Sequence, residues 1–323
     1  MITKYEKQYM EILKDIYENG YEDGVNERTG LSTKRLPNMT IRVDLEKEFP
    51  ILKSKQVFAK TAEREILWIW QRMSNDVHDL KAKIWDEWAD EKGSIGKAYG
   101  YQMAKPVTIN EGSLKNPVIR KYPNQPSMVL GHLKEFPNTR RACTNIWDVD
   151  ELGEMNLTPC VFSTCWNLDG GRLNLMLTQR SGDMPYGVPF NTTQYAMLTC
   201  MFAKHLGVKP GIMLHTIADA HIYANQMEGV KRQLRLYELL GNIGSYPAIH
   251  DVELKQYAKG GYKEAFSTDD LMLIRKIAQE AYSSFPIFVI DEDVTSFWDM
   301  TVHNAKIVGY KFMDRVDFGT IAI

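Results

Sequence analysis

The sequence has few cysteines, no long hydrophobic run and almost no net charge. Its 323 residues include four cysteines, Cys143, Cys160, Cys165 and Cys200, and no Cys-x-x-Cys pair. This pattern excludes a zinc ribbon or a thioredoxin-type motif and fits free thiols in a reducing cytoplasm. No apolar run approaches the length of a membrane span, and the charged N-terminal stretch lacks the apolar centre of a signal peptide. We therefore expect a cytoplasmic protein without a membrane partner.

The charge balance also limits the class of ligand. The formal net charge is −2 and no block of Lys and Arg stands out, so a dedicated nucleic-acid partner is not indicated. A small anionic ligand is compatible with this balance, because a few arginines can converge locally. Apolar residues make up 44% and aromatic residues 11% of the chain, which is enough for a sizeable core.

Local patterns predict an α+β fold. Residues 3–18 and the run "KTAEREILWIWQRMSND" have helical spacing, and the sequence alternates as a strand from Met39 to Leu45. Two strand-like runs flank Asp169-Gly170-Gly171, which is typical of a hairpin turn. "FNTTQYAMLTCMFAKHLG" predicts a buried helix that ends at Gly207. "GIMLHTIADAHIYANQMEGVKRQL" predicts a strand and then a helix, and "FPIFVI" and "NAKIVGYKF" predict late strands.

Two polar segments interrupt these patterns. Residues 104–126 are rich in Pro, Asn and Lys and are predicted to form a surface excursion. Residues 240–284 are polar and are predicted to be an insertion with one helix near 268–282. There is no internal repeat and no low-complexity linker. We therefore predict a single domain over 1–323, with insertions at about 104–122 and 240–284.

Cys160, in "LTPCV", is either a core residue or a nucleophile. A nucleophilic cysteine needs a cation or hydrogen-bond donor that lowers the pKa of its thiol. Arg180 follows a strand on the face opposite its leucines, and Arg140 and Arg141 form a second cationic pair. Guanidinium groups also bind phosphate through two parallel hydrogen bonds. Spacing alone still favours a buried cysteine and solvated arginines, because free cysteines are usually buried.

A family resemblance favours the nucleophile. The run "QRSGDMPYGVPFNTTQYAML" resembles the Q-R-S-x-D and G-x-P-F-N segment of the folate-dependent thymidylate synthases. Further landmarks of that family follow its order: "NERTG", "EILWIWQ", "IWDEWAD", "AYGYQ", "NTRR", "LTPCV", "DAHIYANQ" and "IAI". The resemblance covers nearly the whole chain apart from 104–122 and 240–284. It implies a large mixed β-sheet packed with helices, and a homodimer that pairs sheet to sheet.

The resemblance assigns catalytic roles to five residues. Cys160 is the implied nucleophile toward carbon 6 of the uracil ring of dUMP. Arg180 is implied to lie between the thiolate and the phosphate. Glu65 is the implied general acid and base, working through water near O4, and Tyr99 is implied in proton removal from carbon 5. Asn191 is implied to bind the base edge, since an amide offers both a donor and an acceptor.

The resemblance also implies two binding sets and no metal. The nucleotide site would consist of Arg28, Gln179, Ser181, Asp183, Asn191, His221 and Tyr223, with Arg140 and Arg141 reaching in from the partner subunit. The folate site would be lined by Lys55, Trp85, Trp88, Asp183 and Ile323.

The implied function is reductive methylation of dUMP to dTMP, with 5,10-methylenetetrahydrofolate as donor of carbon and hydride. Two alternatives stay open. A 5-hydroxymethylase of the same fold would capture water instead of hydride. Departures from the family pattern at Val161, where many members have histidine, and at Asp148, where asparagine is usual, leave room for it. A non-catalytic nucleotide-binding paralogue is the second alternative, and the intact set around Cys160 argues against it.

Overall fold

The computed structural model describes residues 2–245, 276, 280–283 and 285–321. The α-helices in this part are α1 (Lys4–Asn19), α2 (Ala59–Leu67), α3 (Val77–Leu80), α4 (Gly100–Met103), α5 (Gln125–Glu135), α6 (Gly187–Leu206) and α7 (Met227–Ser245). The strands are β1 (Tyr21–Glu22), β2 (Thr33–Asp44), β3 (Val107–Asn110), β4 (Ile119–Tyr122), β5 (Cys143–Asn145), β6 (Val161–Asp169), β7 (Arg172–Gln179), β8 (Gly182–Asp183), β9 (Lys209–Tyr223), β10 (Ile287–Ile290) and β11 (Ala305–Val308).

A seven-stranded mixed sheet forms the centre of the described structure. Its order is β1-β2-β9-β7-β6-β5, with β8 also paired to β9. Strands β7 and β8 run parallel to β9, while β2 pairs with β9 and β6 pairs with β7 antiparallel. This architecture confirms the predicted α+β class with a large mixed sheet. The register sets Asp183 of β8 beside His221 of β9.

The predicted hairpin brings two site residues together. Gly170 and Gly171 connect β6 and β7 with φ of 56° and 72°, a conformation that favours glycine. Cys160 directly precedes β6 and Arg180 directly follows β7. The Arg180 amide donates a hydrogen bond to the Cys160 carbonyl at 2.8 Å, so the hairpin closes at the predicted nucleophile.

Strand β2 is longer than the alternation predicts. It starts at Thr33 rather than Met39. Pro37 and Asn38 hide the earlier part of the pattern. Asn38 has a φ of 58°, and the pairing with β9 passes from Pro37 to Met39 without Asn38 or the opposite Ala218, with its register unchanged. This irregularity shifts the alternation of side chains between the two faces, because Leu36 and Met39 both pack against the core.

Helices α2 and α6 position the acidic part of the site. Helix α6 is almost entirely buried and ends at Gly207, where φ is 69°, as predicted. Helix α2 continues after Leu67 as a π-helix over Trp68–Arg72. There the Trp70 ring packs edge-on against Trp166 and Phe202, with centroid distances of 6.0 and 5.7 Å. This packing fixes α2 against α6 and the sheet.

The two polar segments differ in how the structure describes them. Residues 104–126 include the β3–β4 hairpin and the start of α5, where Gln125 and Pro126 are buried. The prediction of a surface excursion is therefore wrong for its last residues, where the Gln125 amide donates to the Asn145 carbonyl of β5. Whether 104–122 and 240–284 are insertions stays a prediction. Helix α7 reaches Ser245, and the helix predicted near 268–282 lies for the most part outside the described residues. The late strands are confirmed as β10 and β11.

Candidate active site

Arg180 clamps the turn that carries Cys160. Its guanidinium donates hydrogen bonds to the Pro159 carbonyl at 3.0 Å and to the carbonyl and hydroxyl oxygens of Thr158 at 2.9 and 2.7 Å. The same group lies over the Trp147 ring, 5.3 Å from its centroid. These contacts fix the arginine, and with it the half-buried Cys160, against the end of the sheet.

The Cys160 thiol lies between burial and positive charge. Burial raises its pKa, and the charge of Arg180, a hydrogen bond with Tyr99 and the charge of Arg28 lower it. Burial outweighs the other effects, so the net pKa is raised. The predicted activation by Arg180 is thus present as an opposing effect. The backbone N–H of Cys160 donates to the Tyr99 hydroxyl at 3.1 Å, which ties the nucleophile to the tyrosine predicted beside carbon 5.

Two of the predicted sugar and phosphate residues, His221 and Tyr223, lie at the C-terminal end of β9. Arg28 is exposed, and its charge acts on both Cys160 and Tyr223. His221 packs edge-on against Tyr223 with ring centroids 5.0 Å apart, and its Nδ1 lies 3.1 Å from an oxygen of Asp219. The structure thus brings Arg28 and Tyr223 within electrostatic reach of Cys160, with His221 packed beside Tyr223.

Gln179 lies behind this edge rather than on it. Its side chain is buried, and its amide donates to the Ser181 carbonyl at 2.7 Å. Its Oε1 lies 2.7 Å from Nε2 of the buried His215, whose pKa burial lowers to about 3. His215 is therefore neutral and fixes the amide. Gln179 positions Ser181, and its contact with substrate stays a prediction.

Glu65 is buried among neutral hydrogen-bond donors. The indole N–H of Trp85 donates to one carboxylate oxygen, and the side-chain amide of Gln194 donates to the other. Burial raises the pKa of Glu65 to about 7, against a lowering by these two hydrogen bonds. A carboxyl group with this pKa can both give and take a proton near neutral pH.

Gln194 also links Glu65 to Asn191. The Asn191 amide donates to the Gln194 side-chain oxygen at 3.0 Å, so the residue predicted to bind the base and the predicted acid share one connector. Our sequence reasoning missed Gln194. Its signal was present in the sequence, because residues three apart on a helix are neighbours on its surface.

Tyr99 and two tryptophans form an aromatic wall beside Glu65. The Tyr99 ring packs edge-on against Trp85 at 4.9 Å, and Trp85 against Trp88 at 5.5 Å. Tyr99 has φ 44° and ψ −101°, a strained conformation for a residue with a side chain. The indole N–H of Trp88 is buried and has no hydrogen-bond partner among the residues that the structure describes. That donor fits a site predicted to receive a ligand.

Asp183 and Lys55 form the far side of the site. Gln226 donates to one Asp183 oxygen at 2.9 Å and the Tyr186 amide to the other at 3.2 Å. Burial raises the pKa of Asp183 and lowers that of Lys55 to about 8, while the two charges partly offset these shifts. Lys55 lies over the Phe318 ring, 5.0 Å from its centroid. Ile323, also predicted here, lies outside the described residues.

The unusual Asp148 has a partner. Lys105, from the start of the first predicted insertion, lies 2.7 Å from its carboxylate and lowers its pKa. Lys105 also pairs with Glu151. The extra carboxylate is therefore neutralised within the chain.

Arg140 and Arg141 are exposed. The Arg141 guanidinium donates to Glu111 at 2.9 Å, at the end of β3. Their predicted contact with a nucleotide of the partner subunit stays a prediction.

The described residues lack two features that would indicate other classes of protein. No helix among them is long and apolar enough to cross a membrane. Nor does that part of the chain bring together three or more His, Cys, Asp or Glu side chains that could hold a metal ion.

Comparisons with known proteins agree with this geometry. The sequence model of the family described as "Thymidylate synthase" matches residues 7–322. The thymidylate synthase of Clostridium beijerinckii is 44% identical over 318 residues, which cover 98% of each chain. Thymidylate synthase 1 of Bacillus subtilis is 33% identical over 98% of this chain and 99% of its own.

A solved structure matches as well. The thermostable thymidylate synthase A from Bacillus subtilis superposes with a TM-score of 0.75 and 33% identity, over 98% of this chain and 99% of that one. A sequence match over almost the full length and a shared fold lead to one conclusion: the chain belongs to the thymidylate synthase family.

Proposed function

We propose that this protein catalyses the reductive methylation of dUMP to dTMP. 5,10-Methylenetetrahydrofolate would supply the carbon and the hydride and leave as dihydrofolate. One observation carries the proposal: a cysteine beside two cations shares a site with a buried carboxyl group that is linked to the base-binding amide. The parts are Cys160, Arg180, Arg28, Glu65 and Asn191.

In this proposal the nucleophile region starts the reaction. The Cys160 thiolate adds to carbon 6 of the uracil ring, which makes carbon 5 electron-rich enough to attack the one-carbon unit. Arg180 and Arg28 stabilise the thiolate and bind the phosphate. An incoming phosphate would attract the same guanidinium groups away from the thiolate. The hydrogen bonds from Arg180 to Thr158 would resist this movement and keep Arg180 beside Cys160 when the nucleotide binds.

Glu65 and its partners carry out the proton steps. With a pKa raised to about 7 by burial, Glu65 can protonate O4 as the adduct forms and remove that proton as it collapses. Asn191 fixes the uracil edge, and Gln194 holds Asn191 at a set distance from the acid. The Tyr99 hydroxyl accepts a hydrogen bond from the Cys160 amide and would help to remove the proton from carbon 5.

The folate would stack on the aromatic wall. Trp85 and Trp88 would exclude water from the reacting carbon, and the unpartnered Trp88 N–H would find an acceptor on the ligand. Lys55 and Asp183 lie where polar groups of the folate would be bound, with Ile323 at the C-terminal end of the chain. We further propose a sheet-to-sheet homodimer in the cytoplasm, in which Arg140 and Arg141 serve the partner's site.

The comparisons do not favour the two alternatives. A hydroxymethylase would have to admit water where the aromatic wall excludes it. Asp148, one of the departures that left this alternative open, is neutralised by Lys105. A non-catalytic paralogue would have no use for a carboxyl group whose pKa is raised to about 7 beside an intact nucleophile.

The test combines two measurements on the purified protein with dUMP and methylenetetrahydrofolate. Absorbance follows dihydrofolate formation, and chromatography identifies the nucleotide product. dTMP with an equal amount of dihydrofolate supports the proposal, whereas hydroxymethyl-dUMP without dihydrofolate, or unchanged dUMP, contradicts it. Cys160→Ala should lower turnover by about 10⁴-fold or more while dUMP binding persists. Cys200→Ala, near the C-terminal end of α6, removes a thiol outside the site and is the matched control, which should retain activity.

A further inference from the structure

Glu111 lies in the segment 104–122, which the family resemblance does not cover. Its side chain nevertheless contacts a predicted site residue, Arg141. It directly follows β3, and its side chain is only 12% exposed. One carboxylate oxygen contacts Nε2 of His132 and accepts a hydrogen bond from the Thr139 hydroxyl at 2.9 Å. The other oxygen accepts from the Arg141 guanidinium at 2.9 Å.

His132 anchors this carboxylate to the protein interior. It lies on α5 and is fully buried. Its Nδ1 is 2.8 Å from the hydroxyl of Tyr122, on β4. Burial raises the pKa of Glu111, but hydrogen bonds from His132 and Thr139 and the charge of Arg141 outweigh it and leave the pKa lowered. The group is thus a fixed anion held by β4 and α5.

The same network fixes both ends of Arg141. Thr139 accepts a hydrogen bond from the Arg141 backbone amide at 3.1 Å, while Glu111 accepts from one terminal nitrogen of the guanidinium. A guanidinium has five donors in a rigid plane. The contact with Glu111 leaves the remaining edge available to an anion, and the Arg141 side chain is 52% exposed. An arginine held in this way loses less rotamer freedom when it binds phosphate.

We infer that Glu111 is a positioning residue that orients Arg141 toward the phosphate of the nucleotide bound by the partner subunit. This inference rests on the proposed function, in which Arg141 acts across a dimer. The β3–β4 hairpin would then support the substrate site of the other subunit through Arg141, without contacting the substrate itself.

The first experiment compares Glu111→Gln with a control on the same hairpin. Glutamine keeps the shape and can still accept from Thr139, but it removes the charge that holds Arg141. We expect KM for dUMP to rise about three- to tenfold, with kcat within about twofold. Inhibition by inorganic phosphate, competing with dUMP, should weaken by the same factor. Glu135→Gln removes the Arg120–Glu135 ion pair, which joins the hairpin to α5 without touching Arg141, and should leave both constants unchanged.

The second experiment assigns the effect to a subunit. Hybrid dimers are purified through two different tags, so that each has a single intact Cys160. In the first hybrid, one chain carries both Cys160→Ala and Glu111→Gln and the other is wild type. In the second, one chain carries Cys160→Ala and the other carries Glu111→Gln. The first should show the raised KM for dUMP, because its working site borrows Arg141 from the doubly substituted chain, and the second should match the wild type.

Three results would overturn the inference. They are an equal KM in the two hybrids, a raised KM in the second hybrid only, and a Glu135→Gln variant as impaired as Glu111→Gln. Failure of the proposed function is distinguishable from all three, because the wild-type homodimer itself would then form no dTMP. An unchanged thermal midpoint in Glu111→Gln, together with a raised KM, separates positioning from loss of folding.

Discussion

The residues around Cys160, called the nucleophile region, and those around Glu65, called the carboxyl region, both surround a buried acid. They differ in whether a charged partner lies beside that acid. Cys160 is approached by Arg180, whose charge opposes the effect of burial on the thiol. Among the described residues, the hydrogen-bond partners of Glu65 are the neutral donors Trp85 and Gln194. Burial raises the pKa of both acids, but in this part of the chain a charged neighbour that favours the ionised form accompanies the thiol and not the carboxyl group.

The difference follows from what each group must do. A nucleophile must be ionised when it attacks, and an arginine supplies a fixed positive charge at every pH at which proteins are folded. A proton carrier must change its state twice in each cycle, and a nearby cation would hold it ionised. Neutral donors orient the carboxyl group without deciding its charge. Substitutions that remove each charge or donor in turn test this division.

Removing the cation should disable the nucleophile region first. We expect Arg180→Ala to lower kcat/KM for dUMP by about 10³-fold, because both the thiolate and the phosphate lose their partner. The rate of alkylation of Cys160 should fall at neutral pH, because loss of the Arg180 charge raises the pKa of the thiol. Arg180→Lys keeps the charge but loses the paired hydrogen bonds to Thr158. Its kcat/KM and its alkylation rate should therefore lie between those of the wild type and of Arg180→Ala. An unchanged alkylation rate in Arg180→Ala would contradict the comparison.

Removing the acid should slow the chemistry more than the binding. Glu65→Gln is expected to lower kcat about 10²-fold with a smaller change in KM for dUMP. The wild-type pH profile should contain an inflection near the pKa of Glu65, about 7, and the variant profile should lack it. An inflection that survives the substitution would assign that pKa to another group.

Glu65 should also affect stability, with a defined sign. Burial raises its pKa from an ordinary value of 4.5 to about 7, so the folded protein binds this proton more tightly than the unfolded chain. The stabilisation is full below pH 4.5 and is lost as the pH rises through 7, by roughly 3 kcal/mol. Chemical denaturation should therefore show Glu65→Gln gaining stability relative to the wild type across this range. A constant difference would exclude the raised pKa.

Replacing Gln194, which connects Glu65 to Asn191, should have the smallest effect on catalysis. Gln194→Met keeps the volume but removes the hydrogen bonds to Glu65 and Asn191, and we expect kcat to fall about tenfold. Because the Gln194 hydrogen bond lowers the pKa of Glu65, the kinetic inflection should move to higher pH. In a Glu65→Gln background the same substitution should lower kcat by less than tenfold, and a double-mutant cycle measures this coupling.

Local patterns predict the fold well where a single element carries the signal. The hairpin at Gly170-Gly171 and the end of α6 at Gly207 both follow from nearby residues. The start of β2 is not predicted, because an irregularity at Asn38 interrupts the alternation. The prediction that Cys160 is the nucleophile depends on the family resemblance, since spacing alone leaves its role open.

Contacts between distant residues were beyond the reach of local patterns. Gln194 meets Glu65 across 129 residues of chain, and Glu111 meets Arg141 across 30. Periodicity orients a residue on its own element, but it carries no information about which other element will pack against that face. The composition of 104–126 indicated only a solvated segment, although its one buried carboxylate is fixed at Arg141.

The strained backbone of Tyr99 has a consequence for engineering this enzyme. A residue with a side chain at φ 44° and ψ −101° raises the free energy of the folded state by roughly 1–3 kcal/mol. Tyr99→Gly would relieve that strain, but the cavity it leaves beside Trp85 would cost about 3–5 kcal/mol, which is more than the strain. A glycine at the position whose hydroxyl holds the Cys160 amide would therefore lower the stability of the protein. A screen for heat-resistant variants would retain this tyrosine, and the strained backbone would be kept with the packing that requires it.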